Sequence, residues 1–265
     1  MITIREYKRA GSLEEAWTLN QKRNNMVIGG MIWVKMSRRS VNTAIDLSGL
    51  GLDAIEETPE GFSIGAMVTL RQLETNPGLN AYTGGAVREA LRHIVGVQLR
   101  STATVGGSVW GRFGFSDVLT LFLSMETWVE LYKGGLMPLS RFAALPYDRD
   151  ILVRLLVRRV PARFCYLSAR NTETDFPALT CAAALGEEGF RVAVGARPQR
   201  AVLLPDREGV LRPPFSSGAP ERIAAYAAEA IPTGSNLRGS AEYRAHLVKT
   251  LTGRAVTELL RREGD

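Results

Sequence analysis

Cysteine and histidine are scarce in this chain of 265 residues, with two of each. Cys165 and Cys181 are not in a C-x-x-C or any other metal-ligand spacing. Both sit in apolar, strand-like runs, FCYL and LTCAAAL, where a buried free thiol is the expected state. His93 and His246 are too few to complete a metal site or an iron–sulfur cluster from this chain alone. Long hydrophobic runs are missing as well: Arg, Lys, Glu or Gly interrupts each one before it could span a bilayer. The N-terminal MITIREYKRAGSLEEAW is charged early and lacks the apolar core of a secretory signal, so a cytoplasmic protein is expected. There is no G-x-G-x-x-G and no G-x-x-x-x-G-K-[ST], which leaves a Rossmann or P-loop nucleotide site without support.

Lys and Arg number 33 against 27 Asp and Glu, a net charge of +6 that is spread thinly. Short clusters stand at Arg38 and Arg39, at Arg154, Arg158 and Arg159, and at Arg261 and Arg262. No nucleic-acid motif accompanies them, so no nucleic-acid partner is expected. They read as a basic surface, or as one that faces an anionic cofactor or an acidic partner.

Along the chain, SLEEAWTLN (12–20) reads as a helix with a Ser12/Glu15 capping box and Leu13, Ala16 and Trp17 on one face; Trp17 reads as core. VNTAIDLSG and FSIGAM alternate like strands, and Thr69 with Gln72 suggests a second capped helix. Ala86, Val87, Ala90, Leu91 and Ile94 recur at helical spacing, and DVLTLFLSM (117–125) reads as a buried helix. TWVELY and RDILVRLLV read as strands. Near Pro161 the texture changes. RFCYLSAR, LTCAAAL and FRVAVGA predict three antiparallel strands, the last two a hairpin, before helices over 219–231 and 239–262, the second with Ser240 as N-cap. A boundary is therefore expected at 158–162.

Two glycine pairs stand out. Gly29 with Gly30 follows Ile28, and Gly106 with Gly107 follows Val105. Each could end a strand and turn with its amide N–H groups outward, a concavity suited to a phosphate. Thr104 and Ser108 could add hydroxyl donors, and Asp117 could accept from sugar hydroxyls. Plain turns carry Gly-Gly pairs too, so the pairs alone do not decide between a ligand and ordinary chain packing.

A wider pattern gives them context. VIGGMIW resembles the first FAD-binding loop of the flavin subunits of molybdenum hydroxylases, and IGAMVTLRQLE resembles the segment that follows it there. QLRSTATVGGSVWGRFGFSDVLTLFLSM is similar to the second loop, VGARPQRA to the family's GA-x-P-x-R-A turn, and SNLRGSAEYRAHLVKTLTGRAV to its closing helix. These matches run in order over nearly the whole chain, which resembles the FAD-binding medium subunit shared by xanthine dehydrogenase and aerobic carbon monoxide dehydrogenase.

The resemblance implies an α+β fold: a PCMH-type FAD-binding domain over 1–158, in subdomains of about 1–55 and 56–158, then a small antiparallel-sheet-plus-helices domain over 162–265. It implies FAD as cofactor. Ile28, Gly29, Gly30, Met31 and Ile32 would form the first loop, and Thr104, Val105, Gly106, Gly107 and Ser108 the second. Asp117 would serve the ribose or ribityl region, with Ile94 and Val153 near the cofactor. Tyr166 could stack on or hydrogen-bond to the flavin, or be a plain strand residue before Arg170. Trp110, Phe113 and Phe115 could line the flavin or pack on their own domain, and Arg112 could meet the pyrophosphate or solvent. The family usually has Thr, then Asp or Ser, where this chain has Met31 and Ile32. If the loop uses backbone N–H groups, binding survives the change; if it uses the hydroxyl, each lost hydrogen bond costs about 1 kcal/mol or more.

The function that the resemblance implies is an electron-transfer subunit. Its implied partners are a large subunit carrying the molybdenum cofactor and a small subunit carrying [2Fe–2S] clusters, with NAD as one acceptor. No catalytic acid–base residue is expected in this chain. A lone His93 at a helix end reads as a surface or capping group. Two other readings stay open: a scaffold subunit that has lost flavin, and a free-standing flavin reductase similar to UDP-N-acetylenolpyruvoylglucosamine reductase.

Overall fold

Ser12 starts the first helix, Leu13–Asn20: its Oγ accepts from the Glu15 amide at 3.1 Å. The return arm of the predicted capping box is displaced by one residue, because the Glu15 carboxylate accepts from Gly11 N–H at 2.7 Å. The Thr69/Gln72 box closes on both arms, with Gln72 N–H donating to Thr69 Oγ1 at 3.2 Å and Thr69 N–H to Gln72 Oε1 at 2.8 Å. Such reciprocal caps satisfy amides that a helix start otherwise leaves bare.

The computed structural model describes residues 1–261; Arg262, the last residue of the predicted 239–262 helix, lies outside the described residues. Backbone contacts divide the chain into two compact units. The first holds Met1–Leu73, Val97–Gly111 and Thr127–Arg158; the second holds Glu74–Gly96, Arg112–Glu126 and the chain from Arg159 on.

The first unit carries two sheets. Strands β1 (Thr3–Arg9), β2 (Met26–Ile28) and β3 (Ser40–Asp46) form a parallel sheet in the order β1-β3-β2, with Thr3 opposite Ser40 and Arg9 opposite Asp46. Helix Leu13–Asn20 is the crossover that a parallel pairing needs. Ala10, Ala16, Ile45, Leu47, Leu52, Ile151 and Val153 make a core there, with Trp17 packed against it as a half-buried ring. The second sheet is antiparallel: β4 (Ile55–Thr58), β5 (Gly61–Gly65), β6 (Thr127–Leu131), β7 (Gly135–Pro138) and β8 (Leu152–Arg158), in the order β4-β5-β8-β6-β7.

The second unit is built on β9 (Ala162–Ala169), β10 (Leu179–Gly186), β11 (Gly189–Gly195) and β12 (Val202–Leu203), in the order β12-β11-β10-β9. The three long strands and their hairpin stand as expected. Strand β10 shows why LTCAAAL is apolar without alternation, since both of its faces are covered. Leu179, Cys181, Ala183 and Leu185 point to the core shared with helices Ala219–Ala230 and Ala241–Arg261. Thr180 points the other way, and its Oγ1 meets Thr120 Oγ1 at 2.9 Å on helix Asp117–Ser124. Every residue of that helix is buried. Gly195 lets the helix approach, because a Cβ there would lie 2.2 Å from Thr120 Oγ1.

The fold is thus α+β, in line with the expected class. Both cysteines are free and buried, and burial pushes the Cys181 thiol up to about 12. Among the described residues no helix is long and apolar enough to cross a membrane.

Candidate functional site

In the first unit the two glycine pairs lie against each other. Strand β2 ends at Ile28, and the chain turns through Gly30 (φ +65°) and Met31 (φ +56°) into a short 3-10 turn, Val34–Met36. A Cβ on Gly29 would lie 2.6 Å from Thr104 Oγ1, and one on Gly30 would lie 1.9 Å from the Thr102 carbonyl oxygen. Gly106 is equally constrained, 2.6 Å from the Ala66 carbonyl oxygen. Three of the four glycines are therefore bare because other parts of the protein press on them. Gly107 differs: it is exposed, and a Cβ would meet only Thr104 Oγ1 at 3.1 Å and the Gly29 carbonyl at 3.5 Å.

The second pair departs from the expected strand-end turn. Gly106 and Gly107 lie in the first turn of helix Val105–Trp110, which Thr104 caps. Their amides do not point outward. Gly106 N–H donates to Ala66 O at 2.8 Å, Gly107 N–H to Thr104 Oγ1 at 3.1 Å, and Ser108 N–H to Thr104 O at 3.0 Å. Val105 N–H donates to Val68 O at 2.8 Å. The reason is the β-region backbone of Thr104, which turns its hydroxyl onto the helix start. That hydroxyl accepts from Gly107 and keeps its own proton for an outside acceptor.

The first loop is the reverse. Among the described residues, the amides of Gly30, Met31 and Ile32 donate to no group of the chain, while the Met31 carbonyl accepts from Lys35 N–H at 2.9 Å. Met31 holds a left-handed backbone that a side-chain-bearing residue adopts only at a cost. Consecutive unengaged amides beside a left-handed pair are the arrangement that receives an anion. Ile28 and Ile32 flank them, half-buried. Val153 is placed differently: its side chain is 2% exposed in the core cluster, and its carbonyl accepts from Ala66 N–H at 2.9 Å.

In the second unit Asp117, Tyr166 and Arg170 form one buried group. Tyr166 Oη donates to Asp117 Oδ1 at 2.6 Å, and Arg170 Nη2 donates to the same oxygen in a short contact. Arg170 also reaches Ser168 Oγ at 3.2 Å and Asp175 O at 2.7 Å. Asp117 is 4% exposed, and burial lifts its carboxyl to about 6 against the opposing pull of Arg170 and Tyr166. Burial likewise raises Tyr166, which stays a protonated donor. The sequence offers Asp117 as an acceptor for sugar hydroxyls; in the structure its Oδ1 is engaged inside the protein.

Ile94 follows helix Ala86–Arg92 and is half-buried, its N–H donating to Leu91 O at 2.9 Å. His93 is half-buried beside Glu89 and Glu173, each 3.7 Å away, and burial lowers its affinity for a proton. Trp110 packs on Phe142, and Phe113 stacks on Phe115, which leans on Phe176. Of the two settings expected for Arg112, pyrophosphate or solvent, the second is ruled out, since the residue is 2% exposed.

Thr102 and Ala66, whose carbonyls fix the glycines, leave no mark in the sequence, because backbone atoms carry no residue signature. Nor does the sequence single out Arg244, which is fully buried.

Known proteins agree with this architecture. A family model described as the FAD binding domain in molybdopterin dehydrogenase matches residues 3–161. A second, described as the CO dehydrogenase flavoprotein C-terminal domain, matches residues 164–259. The chain belongs to this family, the FAD-binding medium subunits of molybdenum hydroxylases, and is an oxidoreductase subunit with FAD as its cofactor. The nicotine 6-hydroxylase medium subunit of Paenarthrobacter nicotinovorans is 25% identical over 277 residues, covering 95% of this chain and 96% of that protein. The uncharacterized protein YgfM of Escherichia coli (strain K12) is also 25% identical, over 254 residues, covering 94% of this chain and 93% of its own. A solved chain of carbon monoxide dehydrogenase from Hydrogenophaga pseudoflava shares the fold, with a TM-score of 0.86 at 21% identity and 97% of each chain covered.

Proposed function

We propose that this chain is the flavin-carrying, electron-transfer subunit of a three-subunit molybdenum hydroxylase. In that role it takes electrons from [2Fe–2S] clusters of a small subunit and passes them to NAD or another acceptor, while substrate reacts in a large molybdenum subunit. The medium-subunit relative in nicotine hydroxylation supports the setting. FAD, when bound, exchanges electrons singly or in pairs. The observation that carries the reading is the row of unengaged amides at Gly30, Met31 and Ile32 beside the available proton of Thr104. These groups suit a pyrophosphate, and because they are backbone donors, Met31 and Ile32 do not forbid it. The two functional domains meet at 158–162, a reading supported by the two family matches ending at 161 and starting at 164.

The residues divide the work. Gly30–Ile32 and Thr104 would hold the diphosphate, and Gly107 keeps the space over the Gly29 carbonyl open. Val153 would support the loops through the first unit's core, while Asp117 and Tyr166, engaged with each other and with Arg170, and Ile94 would make no direct contact with the diphosphate.

Gly107→Val tests this. The added Cβ meets no backbone closer than 3.5 Å, so the fold should survive. The branched methyls would occupy the space at the loop, and FAD content should fall at least tenfold while the flavin-free chains of wild type and variant melt alike. Wild-type chain with one FAD and variant chain with none is the expected result. Equal FAD in both removes the site assignment. Wild-type chain without flavin, even with FAD supplied, would favour the scaffold reading.

A further inference from the structure

Strand β1 is the outer strand of a three-stranded parallel sheet, and six of its seven residues are exposed. Parallel sheets are ordinarily covered on both faces, as the central strand β3 is here, so an outer strand this exposed is unusual. Thr3, Arg5, Tyr7 and Arg9 share one face by strand alternation. Tyr7 is 60% exposed there. The segment after the first glycine loop lies alongside, because Ile2 N–H donates to Lys35 O at 3.5 Å and Thr3 N–H to Arg39 O at 3.0 Å. It brings Trp33, 46% exposed, and Met36, 77% exposed. Exposed Tyr on β1, and exposed Trp and Met on the segment tied to its start, are residue types enriched in the centres of protein interfaces.

The charge on this strip has one sign. Arg5, Lys35, Arg38 and Arg39 lie along it, and among the described residues none of them makes an ion pair. The acids nearby are already engaged. Asp46, on the Tyr7 face, accepts from Tyr7 and from Ser48 N–H at 2.8 Å. Glu6 accepts from Thr43 at 3.0 Å, and Glu15 pairs with Lys8 at 3.0 Å. The strip also runs directly into the cofactor loop, through the bond from Lys35 N–H to Met31 O.

We propose that the exposed face and edge of β1, together with residues 33–39, form the docking surface for an acidic face of the electron-donating iron–sulfur subunit. This rests on the function proposed above. Tyr7, Trp33 and Met36 supply the apolar centre, and Arg5, Lys35, Arg38 and Arg39 supply the steering charge. The position brings an electron donor to the segment that leads out of the cofactor loop.

The test uses the three subunits expressed together, with Arg5→Glu/Arg39→Glu and Met36→Asp in the medium subunit. None of these residues belongs to the cofactor loop, so FAD content and thermal melting of the isolated variants should match wild type. The expected result is at least a tenfold loss of affinity for the small subunit, together with wild-type binding that weakens as salt rises. Unchanged small-subunit affinity in both variants overturns the proposal. So does loss of the large subunit with the small one retained. Self-association of the isolated wild-type chain, abolished by the same substitutions, would overturn it by assigning the strip to a second copy. A wild-type chain without FAD is a failure of the functional reading itself; an FAD-bearing chain with undiminished assembly in both variants sinks only the docking surface.

Discussion

Replacing Arg244 by Met is expected to cost about 3 kcal/mol or more of folding stability. The side chain is fully buried and, among the described residues, has no carboxylate partner; its charge is answered by dipoles. Nε donates to Ala178 O at 2.9 Å and Ala196 O at 3.1 Å, and Nη1 donates to Gly234 O at 2.7 Å and Gly239 O at 2.6 Å. Nη2 donates to Asn236 Oδ1 at 2.5 Å. One planar fork thus ties the start of β10, the end of β11 and the turn before the last helix. Methionine fills much of the volume and donates nothing, so several buried acceptors are left bare. Removing the buried charge offsets part of that loss, which is why the figure is not the sum of the bonds. Urea unfolding of Arg244→Met and Arg244→Lys would check it. Lysine, with a point charge, should recover less than half of the deficit. A Met variant within about 1 kcal/mol of wild type would mean the carbonyls find water instead.

Arg170→Leu is expected to make the protein's stability strongly dependent on pH. Burial already raises the Asp117 carboxyl to about 6, and Arg170 is the strongest influence pulling it down. Without Arg170 the folded carboxyl moves further above its unfolded value. Stability tied to the protonated form is then fully present below the unfolded value near 3.8 and is lost as pH rises through the folded one. The variant should be destabilised by roughly 3–5 kcal/mol near pH 8, where a buried carboxylate lacks its partner. The gap to wild type should narrow steadily towards pH 4. Melting temperatures across pH 4–8 decide the matter. A gap that stays constant with pH would show that Arg170 acts by packing alone. Tyr166→Phe in the Arg170→Leu background should widen the gap at pH 8, since Asp117 would then lose another donor.

Much of the fold is legible in the residues. Thr69 with Gln72, and Ser12 with Glu15, announce their helices because capping is a local matter of three residues. RFCYLSAR, LTCAAAL and FRVAVGA announce a sheet because apolar β-prone runs between turns have few other uses. The glycine pairs mark the site but not their own physical role. Glycine says only that something comes close, and for Gly30 that something is the Thr102 carbonyl, which has no residue identity to read. The engaged amides of Gly106 and Gly107 depend on the backbone angle of Thr104, which composition does not carry. The Asp117–Tyr166–Arg170 group joins residues 49 and 53 positions apart, beyond any periodicity. The short helix Val97–Arg100 leaves no periodic signal, since one turn gives no repeat to detect, whereas Pro77–Tyr82 is marked only by its Asn76 cap and the proline at its first position.

The order of segments along the chain bears on how it can be made. Strand β8, the central strand of the five-stranded sheet, is the last of that sheet to be synthesised, so β5 and β6 emerge from the ribosome before the strand that will join them. Helix Asp117–Ser124 emerges between β5 and β6, and it belongs with β10 and β11, which lie some sixty residues and more downstream. A chain ending near residue 160 would present that strongly apolar helix with helix Ala86–Arg92 beside it but without the sheet that covers its other side. All segments of the first unit are made by residue 158, whereas the second unit is completed only when the C-terminal part of the chain has arrived.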